Sequence, residues 1–444
     1  MNPTATPNAD QVKAENEFVD FLLDPAEKEM RLIGPGGTGK SWLVHRLITS
    51  ALKIYQDNCT ILGFEPDYTH YVLTALTNKA AQSLQDATGL DVQTLHSFLS
   101  LTVKPNYSTG KQDLRRTSGW TIHEKTLVFI DESYMMDFTL LEELRMATQN
   151  CKLVFIGDDK QLDPVDASKS PIAELDVRTA ELTIPVRNSG SPALQEICQI
   201  LRDNVAGAVQ EADGIIANHV WPMLPLTAGQ IDHVDDAGLH AVLTSLFDKP
   251  NGNNLIVAFS NQKVNDYNHF LRTHRGQSHL FEAGEVMISN DLFERGRFRI
   301  RNEQTVVIAS ADPFISWIKI GDLDVPTQYV EITGYRGQPI PVIIDRSFHK
   351  EALKHLANAA KAQKNWKPYY DLKDTFADFR PRDACTVHKS QGSTKDLVVV
   401  DLNNIGSCNF TVMTARMLYV AISRARHRVI LYGNLPPKYG GVIF

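Results

Sequence analysis

Short apolar runs alternate with amphipathic stretches along the first 182 residues. Met30 to Ile33, Tyr71 to Ala75, Leu127 to Ile130 and Lys152 to Ile156 each have the length and residue types of a buried strand. Between them the spacing turns helical. From Gln11 to Leu23, Phe18, Phe21 and Leu22 make one stripe. After Ser41, apolar residues recur at Leu43, Val44, Leu47, Ile48, Ala51 and Leu52. Strand and helix in alternation predict a parallel α/β core. Residues 101 to 122 break that rhythm with Pro, Asn, Ser, Gly and basic residues, and read as a small β insertion. Thr183 to Asn188 reads as a domain junction, and the chain from there to about 249 as helix and loop. A second α/β core opens at Leu255 to Phe259 and resumes with the strands Leu397 to Val400 and Val429 to Tyr432. Between its halves, Glu285 to Ile288, Thr305 to Ile308, Tyr329 to Ile332 and Pro341 to Ile344 are short β runs separated by turn residues, the pattern of a small barrel. A helix over Glu351 to Gln363 follows. The expected layout is a first core over 1–100 and 123–182, an insertion over 101–122, a second core over 183–278 and 380–444, and a barrel with helix over 279–379.

Composition narrows the class. Of 444 residues, 43% are hydrophobic and 22% charged, ordinary for a globular protein. No apolar run of about 18 residues and no signal peptide is recognisable, so no membrane association is expected. None of the five cysteines sits in a C-x-x-C pair, which argues against a zinc site or a disulfide framework, and reduced thiols fit a cytoplasmic protein. The net charge of −7 excludes a protein coated in basic surface but not a basic groove. Basic residues cluster at Lys111, Arg115 and Arg116, at Arg295, Arg297, Arg299 and Arg301, and at Arg424, Arg426 and Arg428; each cluster alone reads as a solvated face.

Chemistry concentrates in Gly34-Pro35-Gly36-Gly37-Thr38-Gly39-Lys40-Ser41. This is G-x-x-x-x-G-K-[ST] between a strand and a helix, the phosphate-binding loop. The backbone N–H groups of Gly36, Gly37, Thr38 and Gly39 can turn toward one anion. Lys40 can reach the β- and γ-phosphates and the Ser41 hydroxyl can ligate Mg²⁺. Asp131 and Glu132 end the Leu127 strand: the first carboxylate can hold Mg²⁺ and the second can polarise an attacking water. Gln161, after the Lys152 strand, can sense a γ-phosphate. Gln11 has both donor and acceptor for adenine, and equally reads as a surface glutamine. Thr77 and Asn78 open a helix whose N-terminus suits a nucleic-acid phosphate. His96, taken alone, reads as a core or capping histidine. In the insertion, Lys104, Lys111, Arg115 and Arg116 can engage phosphates, while Tyr107 and Trp120 can stack on bases.

The ordered set G-P-G-G-T-G-K-S, T-N-K-A-A, T-L-H-S, D-E-S, G-D-D-K-Q-L-D-P-V, V-R-N, T-V-H-K-S-Q-G and Y-V-A-I-S-R-A-R resembles superfamily 1 DNA helicases, in particular the RecD/Dda branch. The resemblance covers nearly the whole chain. It implies two RecA-like parallel-sheet cores, with a β-hairpin pin in the first and an SH3-like barrel in the second. It implies ATP as substrate with Mg²⁺, single-stranded DNA and single-strand/duplex junctions as partners, and 5′ to 3′ movement. By the same resemblance Lys40, Glu132 and Gln161 serve catalysis, with Arg187 and Arg424 as arginine fingers from the second core. Gly392 lies near the nucleotide, Gln11 reads adenine, and Thr77, Asn78, His96, Thr386 and His388 line the single-strand channel. A single-strand-binding protein or replisome components are candidate partners in replication, recombination or repair. A monomer is expected, in the cytoplasm, or in the host's if a phage encodes it. The alternative within the same resemblance is a single-strand translocase that acts as a motor subunit or displaces bound proteins with little unwinding of its own.

Overall fold

The four apolar runs of the first half become adjacent strands of one parallel sheet. The computed structural model describes residues 6–106, 112–162, 170–186, 191–214, 221–250, 252–295, 298–335 and 337–439. In sheet order the strands are Arg178–Glu181, Glu29–Ile33, Lys152–Gly157, Thr126–Asp131, His70–Ala75 and Val92–Thr94. All neighbours are parallel. The central strands are continuous apolar runs because both faces are covered. Leu127, Phe129, Val154 and Ile156 pack with Phe18, Phe21, Leu43 and Leu47 on one side. Val128, Ile130, Leu153 and Phe155 pack with Leu95, Leu99, Leu140 and Leu144 on the other. One run begins with a charge. Lys152 is fully buried, and its ammonium donates to the carbonyls of Phe21, Asp24 and Glu27 at 2.6, 2.6 and 2.5 Å, which ties the turn after the first helix to the sheet.

The second sheet is also parallel, in the order Ile231–Val234, Ala425–Tyr432, Lys395–Asp401, Asn254–Ala258 and Ala384–Thr386. Its first edge lies in the stretch expected to hold only helix and loop. Four residues, Ile-Asp-His-Val, are too few and too polar to stand out as an apolar run; an edge position lets their polar side chains stay in contact with solvent. Helices Pro192–Ala212 and Thr411–Ser423 cover one face, and Asp236–Leu246 and Asn261–His274 the other.

A curled antiparallel sheet interrupts the second core. Strands Ser316–Ile320, Leu323–Ile332, Thr305–Ala311, Val286–Ser289 and Phe379–Pro381 pair in that order, and Ile340–Ile343 adds to Leu323–Ile332. The curl closes because Ala377 exchanges backbone hydrogen bonds with Pro341 and Ile343, at 2.9 and 3.1 Å, two residues before its own segment pairs with Val286–Ser289. Met287, Val306, Ile308, Val330, Val342 and Phe379 fill the interior. Sequence alone missed Ser316–Ile320 and the small hairpin Phe293–Arg295 with Phe298–Ile300, which are short and half exposed. Helix Arg346–Gln363 begins five residues earlier than expected, capped by the Asp345 carboxylate. In the first core, Leu101–Pro105 and Gln112–Arg116 form the expected hairpin. Tyr107 and Lys111, expected to stack on bases and to engage phosphates, lie outside the described residues. Among the described residues no helix is long and apolar enough to cross a membrane.

Candidate nucleotide cleft and the adjoining cationic cavity

Strand Glu29–Ile33 delivers the chain into the phosphate loop at its C-terminal end, where parallel α/β sheets place their ligands. Gly34 N–H donates to the Gly157 carbonyl at 3.2 Å, so the loop starts tethered to the neighbouring strand. Gly39 sits at φ +86°, which only glycine takes up easily, and a Cβ there would stand 2.8 Å from Gln11 Nε2. Helix Lys40–Arg46 begins immediately and continues through a π-turn into Leu52–Leu62. Its free N–H groups and the macrodipole favour an anion in the loop. Lys40 Nζ donates to the carbonyls of Gly34 and Pro35 at 2.7 and 3.0 Å. Burial pushes this ammonium's pKa down, and Asp158, Glu132 and Asp131 push it back up.

Asp131 ends strand Thr126–Asp131, and Glu132 follows in the left-handed region at φ 54°, which swings the next residues into a short helical turn. Burial and the adjacent Glu132 raise the Asp131 carboxyl to about 7, against the pull of Lys40. Crowding of negative charge beside a hydroxyl at Ser41 is what a hard divalent cation relieves. Carboxylate, hydroxyl and phosphate oxygens are the donor set Mg²⁺ prefers.

A cavity of about 410 Å³ opens between the cores over this loop. The second core contributes Gly392, Ser393 and Arg424 to its wall. Arg424 is 5% exposed; its guanidinium donates to the Val420 carbonyl at 3.0 Å and the Ser423 hydroxyl at 2.8 Å, with no carboxylate partner among the described residues. Its Nη2 lies 3.8 Å from where a Cβ on Gly36 would stand, so it reaches across the cleft to the phosphate loop. A buried guanidinium without an anion is costly, and the loop opposite is shaped to hold one. Gln161 is 7% exposed on the first-core wall, and its Oε1 has no partner among the described residues.

Gln11 is not a surface residue. It is 4% exposed, its Oε1 accepts from Asn8 N–H at 3.0 Å, and its Nε2 donates to the Thr38 carbonyl at 3.2 Å. One lone pair and one N–H remain for a ligand in the cleft it lines. Arg187 lies outside the described residues; just before it, Val186 N–H donates to the Gly37 carbonyl at 2.8 Å.

Of the residues expected to meet nucleic acid, Thr77, Asn78, His96, Thr386 and His388 lie at the C-terminal ends of strands in both cores. Thr77 and Asn78 are exposed, and Thr77 caps its helix through Ala80 N–H at 3.1 Å. Thr386 caps the equivalent turn of the second core through Lys389 N–H at 3.4 Å. His96 and His388 are half-buried, and burial lowers the pKa of both, which favours the neutral ring. Lys79 Nζ donates to the Lys389 carbonyl at 2.8 Å and so joins the two sets.

Beside this junction is a second cavity, about 250 Å³, between the second core and the curled sheet. Lys79, Arg380, Arg382, Lys389 and Lys395 line it. Arg380 pairs with Asp378 at 2.6 Å and Lys389 with Glu303 at 3.6 Å. Lys79, Arg382 and Lys395 have no carboxylate partner among the described residues, and burial pushes the two ammoniums' pKa down. Ser393 lines both cavities, and Lys395 N–H donates to the Arg424 carbonyl at 2.9 Å. Sequence reading passed over Lys79, Arg382 and Lys395, although Lys79 stands inside T-N-K-A-A.

Trp120, at the end of the insertion, lies at the base of the hairpin and packs on the first core. The Arg116 guanidinium covers its ring at 4.1 Å and is held in turn by Glu143 at 2.8 Å. Arg115 pairs with Asp113 at 3.3 Å, which leaves Lys104 as the hairpin cation without a carboxylate partner among the described residues.

Comparison with known proteins gives concordant matches. Residues 9–219 match the model described as an AAA domain, and residues 383–432 that of a UvrD-like helicase C-terminal domain. The chain is 24% identical over 437 residues to the ATP-dependent DNA helicase dda of Enterobacteria phage T4, covering 89% of this chain and 92% of the relative. It is 21% identical over 490 residues to an uncharacterized protein of Acanthamoeba polyphaga mimivirus, covering 95% and 99%. Its fold is similar to the crystal structure of Pif1 helicase from Bacteroides in complex with ADP-AlF3 and ssDNA, with a TM-score of 0.50 at 14% identity over 98% of this chain and 94% of that one.

Proposed function

We propose that this chain, a member of superfamily 1 of the helicases in its RecD/Dda branch, is an ATP-dependent DNA helicase that moves 5′ to 3′ on single-stranded DNA. The observation that carries the reading is the shared wall at Ser393. On one side lies a phosphate loop faced by an arginine from the other core; on the other lies a cavity where three of the five lining cations have no carboxylate partner among the described residues. A change in the nucleotide is felt directly by the segment that borders the polyanion.

In the cleft, Glu132 takes the proton from water as its oxygen attacks the γ-phosphorus and the bond to the ADP oxygen breaks. Lys40 and Arg424 neutralise the charge that builds on the transferring group from opposite cores. By its motif, V-R-N, Arg187 belongs with them as a second arginine finger. Ser41 and Asp131 would hold Mg²⁺, which would supply charge neutralisation on the phosphates. Gln161 orients the attacking water with its Oε1, which has no partner among the described residues. Loss of the γ-phosphate removes what Arg424 and Lys40 share, so the cores relax apart. Thr77, Asn78 and His96 in one core, and Thr386 and His388 in the other, then grip the strand in alternation.

Strand displacement on duplexes with a 5′ or a 3′ single-stranded tail tests the reading. Unwinding should need ATP and a 5′ tail. Preference for a 3′ tail would reverse the polarity, and ATP-driven movement without displacement would favour the translocase.

A further inference from the structure

The loop that carries Gln161 belongs to the first core by sequence, yet the second core holds it. Asp158 follows strand Lys152–Gly157 and is 1% exposed. Its carboxylate accepts from Arg202 Nη1 at 2.9 Å, from the Tyr419 hydroxyl at 2.6 Å and from Gln161 Nε2 at 3.4 Å. Arg202 comes from helix Pro192–Ala212 and Tyr419 from helix Thr411–Ser423, both of the second core. Arg202 also pairs with Asp159 at 3.0 Å. Arg416, one turn before Tyr419, donates to the Asp159 carbonyl at 3.0 Å and to the Gln161 carbonyl. Burial and Asp158 push the Tyr419 phenol well above its ordinary pKa, so it stays a donor.

This arrangement is expensive for a purely structural contact. A carboxylate and a guanidinium removed from water together gain little over an apolar pair unless their geometry serves something else. What it touches is Gln161, and the helix that supplies Tyr419 and Arg416 ends at Arg424. We propose that Asp158, Arg202 and Tyr419 form a latch through which the second core positions Gln161, so that Gln161 and Arg424 approach and leave the γ-phosphate as one unit. Arg202 and Tyr419 are positioning residues, acting through Gln161. The proposal rests on the cleft being the ATPase site described above.

A double-mutant cycle between Arg202→Met and Gln161→Ala tests it, read as kcat and KM for ATP with and without single-stranded DNA. If the latch works through Gln161, each single change lowers kcat about tenfold with KM for ATP little altered, and the double variant is no slower than the slower single one. Arg202→Lys should recover part of the lost rate. Tyr419→Phe, which removes one hydroxyl and keeps the packing, repeats the cycle if Arg202→Met does not fold; a smaller fall with the same non-additivity is expected. Effects that multiply in either cycle would overturn the latch, as would a lowered Tm with unchanged kcat. Absence of DNA stimulation in the parent chain would sink the motor reading instead; the cycle on unstimulated turnover still decides the latch.

Discussion

On the proposed function, Lys40, Glu132 and Arg424 divide one reaction between two cores, and their substitutions should separate accordingly. Glu132→Gln keeps the shape and hydrogen-bonding reach of the side chain but cannot accept the proton. ATP binding should survive while turnover falls roughly 10²–10⁴-fold. Arg424→Ala should cut turnover by about 10³-fold or more with a smaller change in nucleotide affinity, because the guanidinium acts mostly on the transition state. Nucleotide titration alongside steady-state turnover checks both; near-normal turnover in either variant removes that residue from its role. At this scale, what could be read early had fixed spacing. The phosphate loop and the Asp131–Glu132 pair are local patterns whose chemistry follows from strand ends. Arg202 could not be read. It lies in the middle of an amphipathic helix, where arginine is ordinarily solvated, and its meaning comes from Asp158, 44 residues away. Gln11 was ambiguous for a related reason: helical periodicity does not say that a polar residue will be buried against a loop 27 residues on.

Strands buried on both faces announced themselves and edge strands did not. Leu127 to Ile130 and Lys152 to Ile156 are apolar because helices cover both sides, whereas Ile231–Val234 at a sheet edge keeps its polar residues at the surface. The hairpin Leu101–Pro105 with Gln112–Arg116 was legible from its break in rhythm, but its footing was not. Leu114 and Trp120 pack on the first core, and Arg116 is clamped between Trp120 and Glu143. A test of the hairpin as a strand-separating pin must therefore leave that base alone. Replacing residues 105–113 with a short Gly-Ser linker should leave DNA-stimulated ATP turnover within a few-fold of the parent and abolish most strand displacement. Displacement at the parental rate would locate the wedge elsewhere, with the curled sheet over Val286–Pro381 the next candidate.

Over the whole molecule, a net charge of −7 coexists with a cavity where Lys79, Arg382 and Lys395 lack carboxylate partners among the described residues. Composition could exclude a basic coat but could not show where cations would converge, since Lys79 belongs to the first core and lies far along the chain from Arg382 and Lys395. Converting both Arg382 and Lys395 to Ala should raise the DNA concentration needed for half-maximal stimulation and flatten its salt dependence. Each lost phosphate contact removes about 0.7 from the log–log slope for a single strand. An unchanged slope would mean that the strand does not touch this cavity. The two cavities meet at Ser393, and through that shared wall nucleotide chemistry and polyanion binding are proposed to act as one system. The direct test is the steady-state rate of ATP hydrolysis by the full chain as single-stranded DNA is titrated in at low salt. A saturable rise of about tenfold or more is expected, on the scale of one catalytic contact completed by DNA; a rate unaffected by saturating DNA would mean that the two cavities are not coupled.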